Sequence, residues 1–289
     1  MRARLAMMFC AMATHACAEP ASVGAYMDQP QVKADARIAY GPAPAQVIDV
    51  FLPKGGGAHP VVILLHGGCY LAEYQGLTQT SGVAADLARR GYAVWNVEYR
   101  KFGEAGAGYP GTFLDVAEAV DRLKAEAPRY HLDLTRVVAL GHSAGGQLAL
   151  WAAARPNVPR SSPLWRADPV RVRAVVSIGG IGDLKAHAGS FDGACGSGTI
   201  ARVTAGRYAD TSPADLLPTG AKVVMVHGQF DHVMPPDTGR AYVATVRKAG
   251  DPAEAVVLDG YGHFDAMIPT SPAWKTVADI VTREIAALH

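Results

Sequence analysis

A chain of 289 residues, 49% hydrophobic and 18% charged, carries enough apolar side chains for one large core and too many for a disordered chain. Its 27 Lys and Arg against 26 Asp and Glu leave a formal charge of +1. No basic run interleaves with aromatics, so a nucleic-acid partner is not expected. No Cys-x-x-Cys or His-Glu-x-x-His spacing suggests a metal centre.

The first eighteen residues read as a signal peptide. Arg2 and Arg4 form a positive n-region, Leu5 to Ala13 a short apolar core, and Ala16-Cys17-Ala18 a small-x-small cleavage pattern. Cleavage after Ala18 would start the mature chain at Glu19 and place it in the periplasm or outside the cell. The apolar core is too short for a stable membrane anchor. Of four cysteines, Cys69 and Cys195 would survive cleavage. An oxidising compartment permits a disulfide between them, and their spacing alone does not decide whether one forms.

Residues 19–35 read as a loose leader. Gln46 to Leu52 alternates polar and apolar residues, as an edge strand does. Val61 to Leu65 is a continuous apolar run, expected of a central strand covered on both faces. A helix follows over Thr80 to Arg90, ended by Gly91. Next come a strand at Tyr92 to Val97, an amphipathic helix at Thr112 to Glu126, and a strand at Val137 to Leu140 that leads into a helical run from Gln147 to Ala154. Strands at Ala174 to Ile178 and Lys222 to Val226 flank a Gly- and Ser-rich insert, about residues 183–218, of the length used for lids and pocket walls. A helix from Thr238, a strand at Ala255 to Leu258 and a helix from Pro272 to Leu288 close the chain. Such alternation predicts an α/β fold in a single domain over residues 37–289, with a mainly parallel sheet and helices on both faces.

Between the strand at Val137 and the helix at Gln147 stands Gly141-His142-Ser143-Ala144-Gly145-Gly146. A Gly-x-Ser-x-Gly turn from strand to helix forms a nucleophile elbow, with the serine at its tip. A serine hydroxyl needs a base to take its proton. In the order nucleophile, acid, base, Asp231 follows the strand at Lys222 and His263 follows the strand at Ala255 on a glycine-flanked loop. His263 would serve as general base and Asp231 would orient it. His232, Asp259 and Asp265 are the nearest competitors, and His142 reads as structural. His66-Gly67-Gly68-Cys69-Tyr70 follows the central strand, so the N–H groups of Gly68, Cys69 and Ala144 are candidates for an oxyanion hole. Tyr70 and Tyr109 are candidates for the substrate pocket wall. Cys69 borders the proposed hole, and a bond to Cys195 would pin the insert over the site.

These segments resemble the α/β-hydrolase superfamily from about Arg37 to Leu288. His66-Gly67-Gly68, Glu98-Tyr99-Arg100, Tyr109 to Thr112, the elbow and the Asp231 and His263 loops look like its esterase and kynurenine-formamidase-like branch. The resemblance implies cleavage of short or aromatic esters, or of an aryl formamide, through an acyl-enzyme without metal or organic cofactor. In that branch the oxyanion motif usually runs into tryptophan, whereas here it reads Cys69-Tyr70. The expectation is therefore an exported carboxylesterase acting on a small-molecule ester through Ser143. Arylformamidase, peptidase and non-catalytic binding protein are the alternatives.

Overall fold

The computed structural model describes residues 19–74 and 76–288. The signal peptide expected over residues 1–18 lies outside the described residues. Among the described residues, one sheet of eight strands has the order β1-β2-β4-β3-β5-β6-β7-β8. Its strands are β1 (Ala36–Ala39), β2 (Val47–Phe51), β3 (His59–Leu65), β4 (Ala93–Val97), β5 (Leu132–His142), β6 (Ala174–Ile178), β7 (Lys222–Gly228) and β8 (Ala253–Leu258). From β4 onward neighbouring strands run parallel, while β1 and β2 are antiparallel. The continuous apolar runs became the middle of the sheet because both its faces are covered, and Val61 to Leu65 are wholly buried.

Two corrections concern the N-terminal part. The segment expected at the edge, β2, is second in the sheet, because β1 pairs along its outer side with Arg37 opposite Asp49. Those two side chains bond at 2.6 and 2.8 Å. With four residues and only Ile38 buried, β1 is too short to show a period. The leader is not loose. It forms the helix α1 (Val23–Met27), N-capped by Ser22, and buries Tyr26 to 2% exposure.

Helices cover the sheet on two sides. The helices α2 (Ser81–Arg89) and α9 (Pro272–Ala286) close one apolar layer, with Leu87, Trp274 and Val281 against Val62, Leu64 and Val94. On the other face lie α3 (Gly111–Tyr130), α4 (Ala144–Ala154) and α8 (Pro236–Lys248), with Phe113, Leu148 and Val246 in a larger layer around Ile63 and Trp95. Every residue of α4 is buried, as a helix apolar on all sides requires. The insert folds into α5 (Ala188–Cys195), α6 (Thr199–Thr204) and α7 (Tyr208–Thr211), and it packs Phe191, Ile200 and Val203 into that same layer. No helix among the described residues is long and apolar enough to cross a membrane. The sheet order turns between β3 and β5, and in open parallel sheets the crevice at such a turn, beyond the carboxyl ends of the strands, is where ligands sit.

Candidate active site

Ser143 occupies the sharp turn between β5 and α4, at φ 53° and ψ −119°, a strained conformation for a residue with a side chain. Its N–H donates to the Ile178 carbonyl at 2.8 Å and its own carbonyl accepts from the Gly146 N–H at 2.9 Å. Close approach explains the glycines. A Cβ at Gly141 would strike the Gly145 carbonyl, and one at Gly145 would strike the carbonyls of Leu65 and His66. The turn therefore closes against the end of β3 only with hydrogen at both positions.

The loop after β7 and the loop after β8 converge on this turn. His263 Nδ1–H donates to Asp231 Oδ2 at 2.8 Å, and the two side chains are 5% and 1% exposed. Asp231 Oδ1 accepts the N–H groups of Val233 and Met234 at 2.9 and 2.8 Å. Burial alone pushes the Asp231 carboxyl up, but the hydrogen bond and charge of His263 and the Met234 N–H hold it below the usual carboxylate range. The bond at Nδ1 leaves Nε2 of His263 facing away from the carboxylate. Ser143 and His263 line one pocket, together with Gly68, Cys69, His142, Phe264 and residues of α1.

Of the competing groups, His232 and Asp259 are exposed on their loops, while Asp265 and the elbow's own His142 are occupied elsewhere. His142 Nε2–H donates to the His263 carbonyl at 3.0 Å, so it braces the histidine loop. Burial and the neighbouring His263 push the His142 ring down to about 3, which keeps it neutral. Asp265 accepts the Ala21 and Gly262 N–H groups, tying the N-terminal segment to that loop.

Gly68, Cys69 and Tyr70 all have positive φ, at 104°, 55° and 58°. Among the described residues, no protein acceptor takes the N–H of Gly68, Cys69 or Ala144, which leaves these groups free at the end of β3 and the start of α4. What holds this loop is a buried network that reading the sequence missed. His66 Nε2 lies 2.8 Å from Glu98 Oε1 and its Nδ1 lies 2.7 Å from the Gly67 carbonyl. Lys101 Nζ reaches the same Glu98 oxygen at 2.9 Å, the Leu77 N–H reaches the other at 2.9 Å, and Tyr99 stacks on His66 with ring centroids 4.3 Å apart. Burial pushes the Glu98 carboxyl up, but His66, Lys101 and the Leu77 N–H outweigh it and bring it down to about 2. Glu98-Tyr99-Arg100 was legible as a motif, but its partners His66 and Leu77 stand 32 and 21 residues away in sequence. Its Glu98 serves the architecture of the loops that meet there.

Both tyrosines expected in the pocket lie outside it. Tyr70 is 1% exposed and its hydroxyl donates to Gln147 Oε1 at 2.8 Å, because its backbone turns the ring under the loop toward α4. Tyr109 donates to Asp210 Oδ2 at 3.0 Å and lies beneath Arg207 at 5.7 Å, so it anchors α7 of the insert. Val23, Tyr26, Met27, Tyr74, Gln79 and Val233 line the pocket instead. Cys69 and Cys195 form a disulfide with Cα atoms 5.3 Å apart, which fastens the loop after β3 to α5, whose Ala194 lines the pocket. Among the described residues, no group of three or more His, Cys, Asp or Glu is placed to hold a metal ion.

Comparison with known proteins agrees with this architecture. Esterase LipC of Mycobacterium tuberculosis (strain ATCC 25618 / H37Rv) is 27% identical over 245 residues, 80% of this chain and 60% of LipC. The isoprenylcysteine alpha-carbonyl methylesterase ICME of Arabidopsis thaliana is 23% identical over 249 residues, 80% of this chain and 56% of its own. The chain thus spans somewhat more than half the length of these curated relatives. Among solved structures, esterase B from Lactobacillus rhamnosis (HN001) superposes with a TM-score of 0.76 at 18% identity, covering 91% of this chain and 89% of that one. A truncated carbohydrate esterase from gut microbiota gives 0.72 at 19% identity, covering 89% and 99%. At such identities the likeness shows a shared fold. The BD-FAE family model matches residues 48–245, more than half of the sequence. The chain belongs to the BD-FAE family and has the fold of the esterase branch of the α/β-hydrolases.

Proposed function

We propose that this protein is an exported serine esterase that cleaves a small carboxylic ester through an acyl-enzyme on Ser143. The observation that carries the reading is the Asp231–His263 bond at 2.8 Å, set beside an elbow serine in one shared pocket. His263 Nε2 takes the Ser143 proton as Oγ attacks the ester carbonyl. The resulting oxyanion is met by the N–H groups of Gly68, Cys69 and Ala144, each worth roughly 3 kcal/mol in such a site. His263 returns the proton to the departing alkoxide, and water then releases the acid by the same steps in reverse roles. Asp231 keeps the proton of the neutral ring on Nδ1 and stabilises the imidazolium. The ester hydrolase names of LipC and ICME support the reaction class.

The decisive test is turnover of p-nitrophenyl esters from acetate to octanoate, with N-formylkynurenine and a p-nitroanilide alongside. Ser143→Ala is expected to lower ester turnover by up to about a millionfold. Turnover confined to the formamide or the anilide would replace the esterase reading, and ester turnover that survives in Ser143→Ala would remove the acyl-enzyme. Export is supported by the pattern of residues 1–18 and by a disulfide suited to an oxidising compartment. Cell fractionation with N-terminal sequencing is expected to find a periplasmic or secreted chain that starts at Glu19. A full-length cytosolic chain would overturn it.

A further inference from the structure

We propose that Tyr26, carried on the N-terminal strap, is a specificity-determining residue that closes the substrate pocket to all but compact esters. The inference rests on the esterase reading above and adds to it a limit on substrate size. The strap, residues 19–35, lies before the family-matched segment 48–245, so this wall of the pocket stands outside the part shared with the family model. It nevertheless reaches the centre of the site. Val23, Tyr26 and Met27 line the same pocket as Ser143 and His263.

The Tyr26 ring meets His142 edge-on at 5.5 Å and stacks on Phe264 at 5.6 Å. His142 adjoins the nucleophile and Phe264 adjoins His263, so one aromatic ring from α1 spans both halves of the catalytic constellation. The Tyr26 hydroxyl is buried with no hydrogen-bond partner among the described residues. A buried tyrosine that served only to pin the segment would usually bond its hydroxyl. It is therefore the ring, as a surface facing the pocket, that the strap contributes. The pocket measures about 240 Å³, and common small-molecule sites begin at about 300 Å³. The position of this wall is thus a limit on chain length. The strap is held in place by the Ala21 N–H on Asp265 at 3.1 and 3.2 Å and the Val32 N–H on Ser81 at 3.1 Å. Cleavage after Ala18 would leave all of these anchors in the mature chain.

The test compares kcat/KM for p-nitrophenyl acetate, butyrate and octanoate in the mature protein, Tyr26→Ala and Tyr26→Trp, each checked for cooperative unfolding. Tyr26→Ala is expected to raise the octanoate-to-acetate ratio at least about tenfold, and Tyr26→Trp to lower it. A role in holding α1 alone would lower all three esters together without tilting the ratio. Ratios within about twofold of the parent in every folded variant would overturn the proposal. If Tyr26→Ala does not fold, the ratio in Tyr26→Trp decides. Ser143-dependent turnover with a flat ratio removes this inference only, whereas no Ser143-dependent ester turnover in the parent removes the esterase reading and this one with it.

Discussion

Gly179 shows how little room the proposed catalytic residues leave around them. It follows β6 at φ 54°, and a Cβ there would lie 2.8 Å from the His263 ring and 3.0 Å from Asp231 Oδ2. A side chain at this position is strained by the backbone and also pushes directly on the bond that orients His263. Gly179→Ala is expected to lower kcat/KM by roughly 100-fold, the effect of misplacing a catalytic group by about 1 Å. It should cost about 1–3 kcal/mol in stability. Ester kinetics and urea unfolding of the same variant check both figures. A variant with parental kinetics would mean that the Asp231–His263 geometry tolerates displacement.

At the scale of elements, the loop after β3, proposed to hold the oxyanion, is held from two sides, by the Glu98 network beneath it and the Cys69–Cys195 bond beside it. Glu98→Gln removes the charge facing His66 and Lys101, and breaking a buried pair this way costs roughly 3–5 kcal/mol. Activity should fall with it, because the loop that carries Gly68 and Cys69 loses its support. The disulfide spans 126 residues of chain, so it restricts the unfolded ensemble strongly. Cys195→Ala should lower the unfolding free energy by about 2–4 kcal/mol. Since α5 reaches the pocket through Ala194, the same variant should also raise KM. Denaturant titration and kinetics separate the two effects. Intact mass after alkylation without reductant should show no free thiol at either cysteine, and two alkylated thiols would rule the bond out.

For the whole molecule, buried titratable groups determine how it responds to acid. His142 is pushed from 6.5 to about 3 by burial, and burial lowers His227 as well. Glu98 is held at about 2 against an ordinary 4.5, and Asp231 is also lowered. In each case the unfolded chain binds the proton at higher pH than the folded one. The stability these groups supply is complete above their unfolded values and is lost as pH falls toward their folded ones. Loss should therefore begin near pH 6.5 with the two histidines and steepen below about pH 4.5, each group adding up to about 1.4 kcal/mol per pH unit within its window. Urea midpoints from pH 8 to pH 3 check the profile. A midpoint that does not move across that range would contradict the burial of these groups.

The alternation of strands and helices, the elbow, and the order of Ser143, Asp231 and His263 along the chain are legible in the residues taken in order. These are local signals: an apolar run of strand length, a glycine where a Cβ cannot fit, an acid and a histidine just past strand ends. The central strands and most helices lie within a few residues of where periodicity placed them. Tertiary structure alone decided what depends on side chains far apart in the chain. Tyr70 and Tyr109 sit on the expected loops, yet hydrogen bonds to Gln147 and Asp210 draw their rings out of the pocket. Glu98 meets His66 across 32 residues, and Cys69 meets Cys195 across 126. The leader shows no periodicity because its helix is five residues long, yet Tyr26 finds His142 and Phe264 only once the elbow and the histidine loop have come together. A period reports the face that an element buries. It says nothing about which distant residue will meet a side chain on a loop, and that pairing set the walls of this pocket.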